Sequence, residues 1–362
     1  MNPEFYKNSR YHSFDGELKV KTPKAYDHPI SSKFVEAARE LGYPINDDYN
    51  GENQEGFSKS QVTVTENGKR SSTSTAFLHP IRKVRKNLHI WTHSHVTKIN
   101  FNNLKEATGV EFIRFNHLSH KFNVKATKEV ILSAGAVNSP QILQLSGIGP
   151  REELKKFDIK EVMNLPVGEN LQDHPVFGIN FETKERTFTR LEYEEPLFVL
   201  DYFLKGQNGI AASPINSIAF LKLNESNILP DIQLQYIPGA LECWMQRKMF
   251  GQREEFCEEL NHGISMGVIL LHEKSRGFVK LRSKNPLDSP ILNLNFFDKK
   301  EDVDTMIKGI RIIEKLSKTK AFQKLGISLK KQKLNPFEEN SDDYWRWNIE
   351  HFASHLYHAS ST

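Results

Sequence analysis

A strand pattern, a small-residue turn and a helix pattern follow one another directly in residues 128–149, and this order constrains the fold more than any other feature of the sequence. Val130, Ile131 and Leu132 form a continuous apolar run, which is typical of a strand buried on both faces of a sheet. Gly135 follows, and apolar residues then recur at helical spacing, with Pro140 in the first turn, where a missing N–H costs nothing. The pattern predicts a crevice of the dinucleotide-binding kind, in which a turn brings the backbone close to a cofactor.

Segments rich in β-branched and aromatic residues lie on both sides of this unit and predict strands. Those before it predict one strand followed by an antiparallel meander, at residues 88–92, 96–101, 109–115 and 121–126. Those after it predict a second, antiparallel sheet, at residues 217–222, 231–236, 264–271 and 278–282. Apolar periodicity predicts helices at residues 31–41, 137–145, 150–157, 194–204, 301–316 and 344–352. The predicted fold class is therefore mixed α/β, with residues 128–134 as a central strand of the first sheet and residues 301–316 as a largely buried helix.

The composition limits the classes of protein and partner. The 362 residues exceed one typical domain and favour two. Lys and Arg total 49 against 45 Asp and Glu, and no extended basic cluster is present, which argues against a nucleic-acid partner. The densest basic run, residues 82–86, is short and is interpreted as a solvated turn. No segment approaches the roughly 18 consecutive apolar residues of a membrane span. The first residues lack the apolar stretch of a secretory signal, and the sequence leaves the location unassigned.

Cysteine and histidine leave alternatives open. Cys243 and Cys257 are the only cysteines, which excludes a disulfide framework and a four-cysteine zinc site but allows either one bridge or two free thiols. His351, His355 and His358 have a spacing that would place them on one side of a helix. No carboxylate ligand that would complete a metal site is evident beside them, so we expect no metal and interpret each histidine as a surface or hydrogen-bonded core residue.

The run at residues 133–149, SAGAVNSPQILQLSGIG, resembles the second signature of the glucose–methanol–choline (GMC) oxidoreductases. That signature has Gly-Ala, Ser-Pro, two aliphatic residues and Ser-Gly-aliphatic-Gly at fixed spacing, and this run fills every fixed place. Other segments agree with the same family, at residues 48–57 (DYNGENQEGF), 95–99 (HVTKI), 109–112 (GVEF), 165–174 (LPVGENLQDH) and 274–281 (KSRGFVKL). The resemblance covers nearly the whole chain and is strongest to the insect glucose dehydrogenase branch.

The resemblance implies a fold built around FAD, with part of a GMC-type FAD-binding domain and a substrate domain that contains an antiparallel sheet. It divides the sequence into FAD-binding residues 1–174, a substrate-domain sheet at residues 175–274 and a C-terminal region at residues 275–362. The implied reaction oxidises the CH–OH group of a small alcohol or sugar: hydride passes to the flavin, a histidine takes the hydroxyl proton, and a quinone or oxygen serves as the final acceptor.

The resemblance also implies site residues. The histidine of the family lies in a segment that resembles T-x-Y-H-P-x-G-T, and residues 355–362 read HLYHASST, so His358 is the candidate base. Ala359 and Ser361 stand where the family has the Pro and Gly that fix the backbone. Val96 resembles the residue beside the adenine. Ser133, Ala134 and Gly135 resemble the strand end and turn that pass close to the cofactor. Residues 170–174 match a loop motif near the crevice, to which no chemical step is assigned.

The glycine-rich GxGxxG turn that holds the FAD pyrophosphate in this family is absent from the sequence. The family's second catalytic residue also lies beyond the segment that resembles the end of this chain. We therefore expect the 362 residues to be an internal piece of a GMC oxidoreductase. The alternative is a non-catalytic, truncated remnant that binds a ligand or a partner.

Overall fold

The structure is a computed structural model, and it describes residues 10–22, 30–65, 67, 69–187, 200, 215–239, 262–331 and 335–361. The chain forms two compact units. The first, here called the sheet unit, comprises Met1–Asn87, Pro175–His272 and Glu301–His355. The second, here called the signature unit, comprises Leu88–His174, Glu273–Lys300 and Leu356–Thr362. The predicted division at residues 174 and 274 into three consecutive parts stays a prediction.

Fourteen strands are present in the described residues, and they are numbered in chain order. The strands are β1 (Gly56–Lys59), β2 (Ser94–Phe101), β3 (Ala107–Arg114), β4 (Lys121–Lys125), β5 (Ile148–Gly149), β6 (Met163–Asn164), β7 (Pro175–Glu182), β8 (Ser217–Leu221), β9 (Ile232–Ile237), β10 (Gly263–Leu270), β11 (Phe278–Lys280), β12 (Ile291–Asn293), β13 (Ser328–Leu329) and β14 (Ser354–His355). The α-helices are α1 (Lys33–Glu40), α2 (Gly135–Leu145), α3 (Arg151–Lys156), α4 (Lys300–Ser317), α5 (Lys320–Gln323) and α6 (Asp342–Phe352). A short π-helix spans Ser74–Leu78.

The sheet unit is built on one antiparallel sheet in the order β1-β8-β9-β10-β7-β13, and β14 also pairs with β7. Strand β10 is buried along nearly its whole length, because it lies inside this sheet and α4 packs close to it. Gly309 of α4 permits that approach, since a Cβ at this position would lie 2.4 Å from Cγ2 of Val268. The predicted second sheet and the buried helix at 301–316 are thus confirmed. The predicted strand at 278–282 is wrong in its pairing, because β11 pairs with β12 in a separate ladder.

The signature unit contains the antiparallel meander β2-β3-β4, as predicted. Helix α2 begins at Gly135, within two residues of its predicted start, and α3 follows it. Residues 88–92 form no strand, so that prediction is wrong. The predicted helix at residues 194–204 and the two cysteines lie outside the described residues, apart from residue 200, which is helical.

The predicted central strand at residues 128–134 is wrong. These residues belong to no strand, and Ile131 is 78% exposed. A strand that is buried on both faces needs strands beside it, and no described residue pairs with this segment. The apolar run indicates that the segment tends to be buried, but it does not indicate which strands would lie beside it.

The three histidines do not share one helix, because the helix predicted at residues 344–352 ends where expected. Helix α6 ends at Phe352, and Ala353 has an extended backbone. His355 consequently lies in β14, while His351 stays on the helix with its ring stacked on Trp347. Within the described ranges, no group of three His, Cys, Asp or Glu side chains is arranged to hold a metal. Nor does any described helix combine the length and the apolar character that crossing a bilayer requires.

Asn348 on α6 supplies a stability prediction. Its side chain is fully buried, and neither Nδ2 nor Oδ1 has a hydrogen-bond partner among the described residues. Because an unpaired buried polar group costs about 1–3 kcal/mol, we expect Asn348→Leu to raise the free energy of unfolding by about 1 kcal/mol, measured by thermal or urea denaturation. The control is Asn335→Leu, which should lower it, because Asn335 Nδ2 donates to the Tyr344 carbonyl at 2.9 Å. A destabilised Asn348→Leu would show that a buried water satisfies the amide.

Candidate active site

His358 lies on a loop that runs antiparallel beside residues 172–174. Gln172 and Ser360 exchange two backbone hydrogen bonds of 2.9 Å, and the N–H of Leu356 donates to the carbonyl of His174 at 3.0 Å. Between these anchors, Tyr357 has a left-handed backbone with φ of 62°. The loop is therefore pinned on both sides of His358 by backbone pairing.

A buried carboxylate holds the backbone of His358. Oδ1 of Asp173 accepts a hydrogen bond from the His358 N–H at 3.0 Å, and Asp173 is 3% exposed. The side chain of His358, in contrast, is exposed. The arrangement fixes the main chain and leaves the imidazole accessible to a substrate.

A second histidine and a second buried acid lie beside His358. The ring of His174 meets that of His358 edge-on, with centroids 6.0 Å apart and planes at 82°. Nδ1 of His174 lies 3.7 Å from Oε2 of Glu273, a side chain that is 5% exposed. That separation is too long for a hydrogen bond. Three groups thus lie in series: the carboxylate of Glu273, the imidazole of His174 and the imidazole of His358. Of these, His358 is exposed to solvent.

The turn at Ser133, Ala134 and Gly135 is joined to the same loop. The hydroxyl of Ser361 donates to the carbonyl of Ala136 in the first turn of α2. Gly135 has φ of 85°, and a Cβ built there would meet no atom within 4 Å. The structure thus brings the predicted cofactor turn and the His358 loop together in one unit.

Val96 lies on β2, opposite Phe112 of β3, and it is half-buried. This strand packs beside α2, where the N–H of Ile99 donates to the Ser146 hydroxyl at 2.8 Å. Thr97 lies in the β-bulge that follows Val96, and its hydroxyl donates to Oε1 of Glu111, the ladder partner of Lys98, at 2.7 Å. Burial would raise the pKa of Glu111, but the Thr97 hydroxyl and the ammonium groups of two lysines outweigh it and lower that pKa. The strand that carries Val96 is therefore held firmly in the meander.

The first turn of α2 allows a test of whether these residues fit FAD. It has no acidic residue and no capping side chain at Ala134, so its N–H groups and the positive end of the helix dipole can meet an anionic group. The open space at Gly135 allows a close backbone approach. The residues present therefore fit part of a dinucleotide, while the sequence contains no GxGxxG turn for the remainder.

Sequence reasoning missed Glu273 entirely, and it gave Asp173 and His174 no role. Glu273 directly precedes the KSRGFVKL segment and follows the predicted apolar strand at residues 264–271. An acid so close to the end of a strand was the signal that could have identified it. Only the folded chain shows that Asp173 faces the backbone of His358, since 185 positions separate the two residues.

Comparisons with known proteins agree on one family. Two models described as GMC oxidoreductase match residues 4–176 and 273–362. Glucose dehydrogenase [FAD, quinone] of Drosophila melanogaster is 36% identical over 343 residues, which cover 93% of this chain and 53% of the relative. Oxygen-dependent choline dehydrogenase of Proteus mirabilis is 34% identical over 84% of this chain and 54% of the relative. The chain thus spans about half the length of the curated relatives that it matches.

Solved structures show the same fold. An FAD-dependent oxidoreductase from Chaetomium thermophilum superposes with a TM-score of 0.80 at 23% identity, and the match covers 99% of this chain and 67% of that one. An Aspergillus oryzae formate oxidase superposes with a TM-score of 0.77 at 22% identity over 97% of this chain and 64% of that one. With the signature turn, the antiparallel sheet and both family models in agreement, the chain belongs to the GMC oxidoreductase family.

Proposed function

We propose that the protein carrying this sequence is an FAD-dependent oxidoreductase that oxidises the CH–OH group of a small alcohol or sugar, with His358 as the base. The observation that carries the proposal is the exposed imidazole of His358, whose backbone a buried Asp173 holds beside the first turn of α2. Membership of the GMC family supports the reaction class. The final acceptor in this proposal is a quinone or oxygen.

His358 has the chemistry that the reaction needs. Histidine is the side chain that changes protonation nearest to neutral pH, so it suits the acceptance of a hydroxyl proton. FAD, when bound, supplies the acceptor for the hydride. In this proposal Ser133, Ala134 and Gly135 lie along the cofactor through their backbone, and Val96 packs against its adenine end. The substrate hydroxyl is hydrogen-bonded to the His358 ring and gives up its proton there.

The cofactor part of the proposal has a direct test. We expect the 362-residue polypeptide, purified alone, not to retain FAD tightly, because a dinucleotide is held mainly by its pyrophosphate at a glycine-rich turn that this sequence lacks. The measurement is visible flavin absorption after gel filtration. A yellow preparation with one flavin per chain would contradict this expectation.

Two matched variants test the weak binding that is expected to remain in excess FAD. This binding is measured by the quenching of flavin fluorescence. Gly135→Ala should weaken the quenching, because the new methyl group occupies the space that the cofactor would approach. Gly42→Ala should leave it unchanged, although Gly42 shares a positive φ and open surroundings with Gly135. Equal effects of the two substitutions would mean that Gly135 does not face the cofactor.

A second candidate function applies to the 362 residues alone, as a non-catalytic polypeptide that binds a ligand or a partner. The exposed side chain of Ile131 favours it, since this apolar segment has no strand partner among the described residues and its backbone groups can pair with another chain. A polypeptide that is folded by circular dichroism but neither binds flavin nor turns over alcohols would support this candidate over the first.

A further inference from the structure

We propose that Asp173 is the residue that positions His358, in a loop that lacks the Pro and Gly of the family motif. The inference rests on the function proposed above. Ala359 and Ser361 occupy those two places here, so residues around His358 lack the fixed φ of proline and the special turn of glycine. Something else must hold the loop if His358 is to be aimed at a substrate.

The loop contains a conformation that needs such support. Tyr357 has φ of 62°, a left-handed backbone that is unfavourable for a residue with a Cβ. Conformations of this kind persist where the surroundings over-determine them. The N–H groups on either side of Tyr357 are both tied down, that of Leu356 to the His174 carbonyl and that of His358 to the Asp173 carboxylate. Of these two anchors, only the carboxylate is a side chain and can be removed by mutation.

Burial makes the Asp173 anchor strong and specific. The side chain is 3% exposed, and a hydrogen bond to a carboxylate in a water-poor setting is stronger than one between neutral groups. The imidazole of His358 packs edge-to-face with that of His174, which in turn lies 3.7 Å from Glu273. Asp173 touches neither substrate nor reacting atoms in this account, so its role is positioning.

The first arm of the test measures the loop itself in the 362-residue chain. The His358 amide should exchange its hydrogen at least about tenfold faster in Asp173→Ala than in the unchanged chain, because exchange follows local opening. Asp173→Asn keeps an oxygen acceptor and should retain most of the protection. Asp288→Ala is the matched control: it removes another Asp of the signature unit, one that accepts from Ser283 and Asn285, and should leave the His358 amide unaffected.

The second arm measures catalysis by the FAD-loaded protein that carries this sequence. Asp173→Ala should lower kcat by about 10–100-fold, the scale of a small misplacement of a catalytic group, with KM and flavin content little changed. Asp173→Asn should restore kcat to within about threefold, as expected when the hydrogen bond to the His358 N–H survives. A purely structural Asp173 would instead lower flavin content and active protein without this split between kcat and KM.

The outcomes separate the inference from the function on which it rests. Unaltered exchange of the His358 amide in Asp173→Ala, or full kcat in that variant, would overturn the positioning role while leaving His358 as the base. Equal losses in Asp173→Asn and Asp173→Ala would also overturn it, because the hydrogen bond would then not be the cause. Normal turnover in His358→Ala would refute the proposed base, whatever the exchange measurements show about the loop.

Discussion

Replacing His358 with alanine is expected to lower alcohol- or sugar-dependent turnover by the FAD-loaded protein that carries this sequence about 10²–10⁴-fold, the contribution that a positioned base typically makes. Flavin binding should persist, because the imidazole is an exposed group on a loop and the turn proposed to bind the cofactor lies at Gly135. The measurement is dye reduction with saturating substrate, together with the flavin absorption of the same sample.

Two other histidines provide controls for this prediction. His351→Ala and His355→Ala should have much milder effects, since His351 stacks on Trp347 at the end of α6 and His355 pairs with Pro175 in β14. Unchanged turnover in His358→Ala would remove it from the mechanism. Loss of a bound metal from all three variants would instead call for a different account of these histidines.

Introducing a methyl group at Gly168 is expected to destabilise the signature unit by about 3 kcal/mol, at the upper end of the usual range for single substitutions. A Cβ at this position would lie 2.2 Å from the Val279 carbonyl oxygen and 2.7 Å from Nε2 of Gln144, and φ there is 83°. Moving either neighbour away would break buried hydrogen bonds. Gln144 is buried, and its Nε2 donates to the carbonyls of Val167 and Val279 while its Oε1 accepts from Leu281.

Urea denaturation of Gly168→Ala, followed by circular dichroism, measures this effect. Gly326→Ala is the control, because Gly326 also has a positive φ but has open space where the Cβ would go. Gly326→Ala should lower the free energy of unfolding by only about 1–2 kcal/mol, the usual penalty for a left-handed backbone at a residue with a Cβ. Equal losses for the two variants would mean that the loop around Gly168 relaxes and that the close packing against β11 is not rigid.

The elements that could be predicted from sequence are those whose determinants are local. Helix α4 carries an apolar stripe at helical spacing, and α2 begins at a glycine and contains a proline, so both were found close to their true positions. The meander β2-β3-β4 joins neighbouring strands by short connections, which makes its pairing a local property as well.

The predictions that failed depend on partners that lie far away in the chain. Residues 128–134 have the composition of a buried strand, but the sequence does not say which strands lie beside it. Strand β11 was assigned to the wrong sheet because β-propensity does not encode pairing. The candidate site shows the same limit. Gly135 and His358 were proposed from signature segments, whereas the contacts of Asp173 and Glu273 appear only after folding.

The division into two interleaved units has a consequence for how the chain acquires its structure. The chain passes between the units after residues 87, 174, 272, 300 and 355, so neither unit is a continuous stretch. The sheet unit joins β1 to β8 and β14 to β7, and the signature unit joins Gln172 to Ser360. Because such pairings have high contact order, folding should be slow. During synthesis, the sheet unit cannot complete its pairing before β14 has emerged from the ribosome, and the signature unit cannot do so before Ser360 has emerged. The incomplete chain must meanwhile be shielded from aggregation.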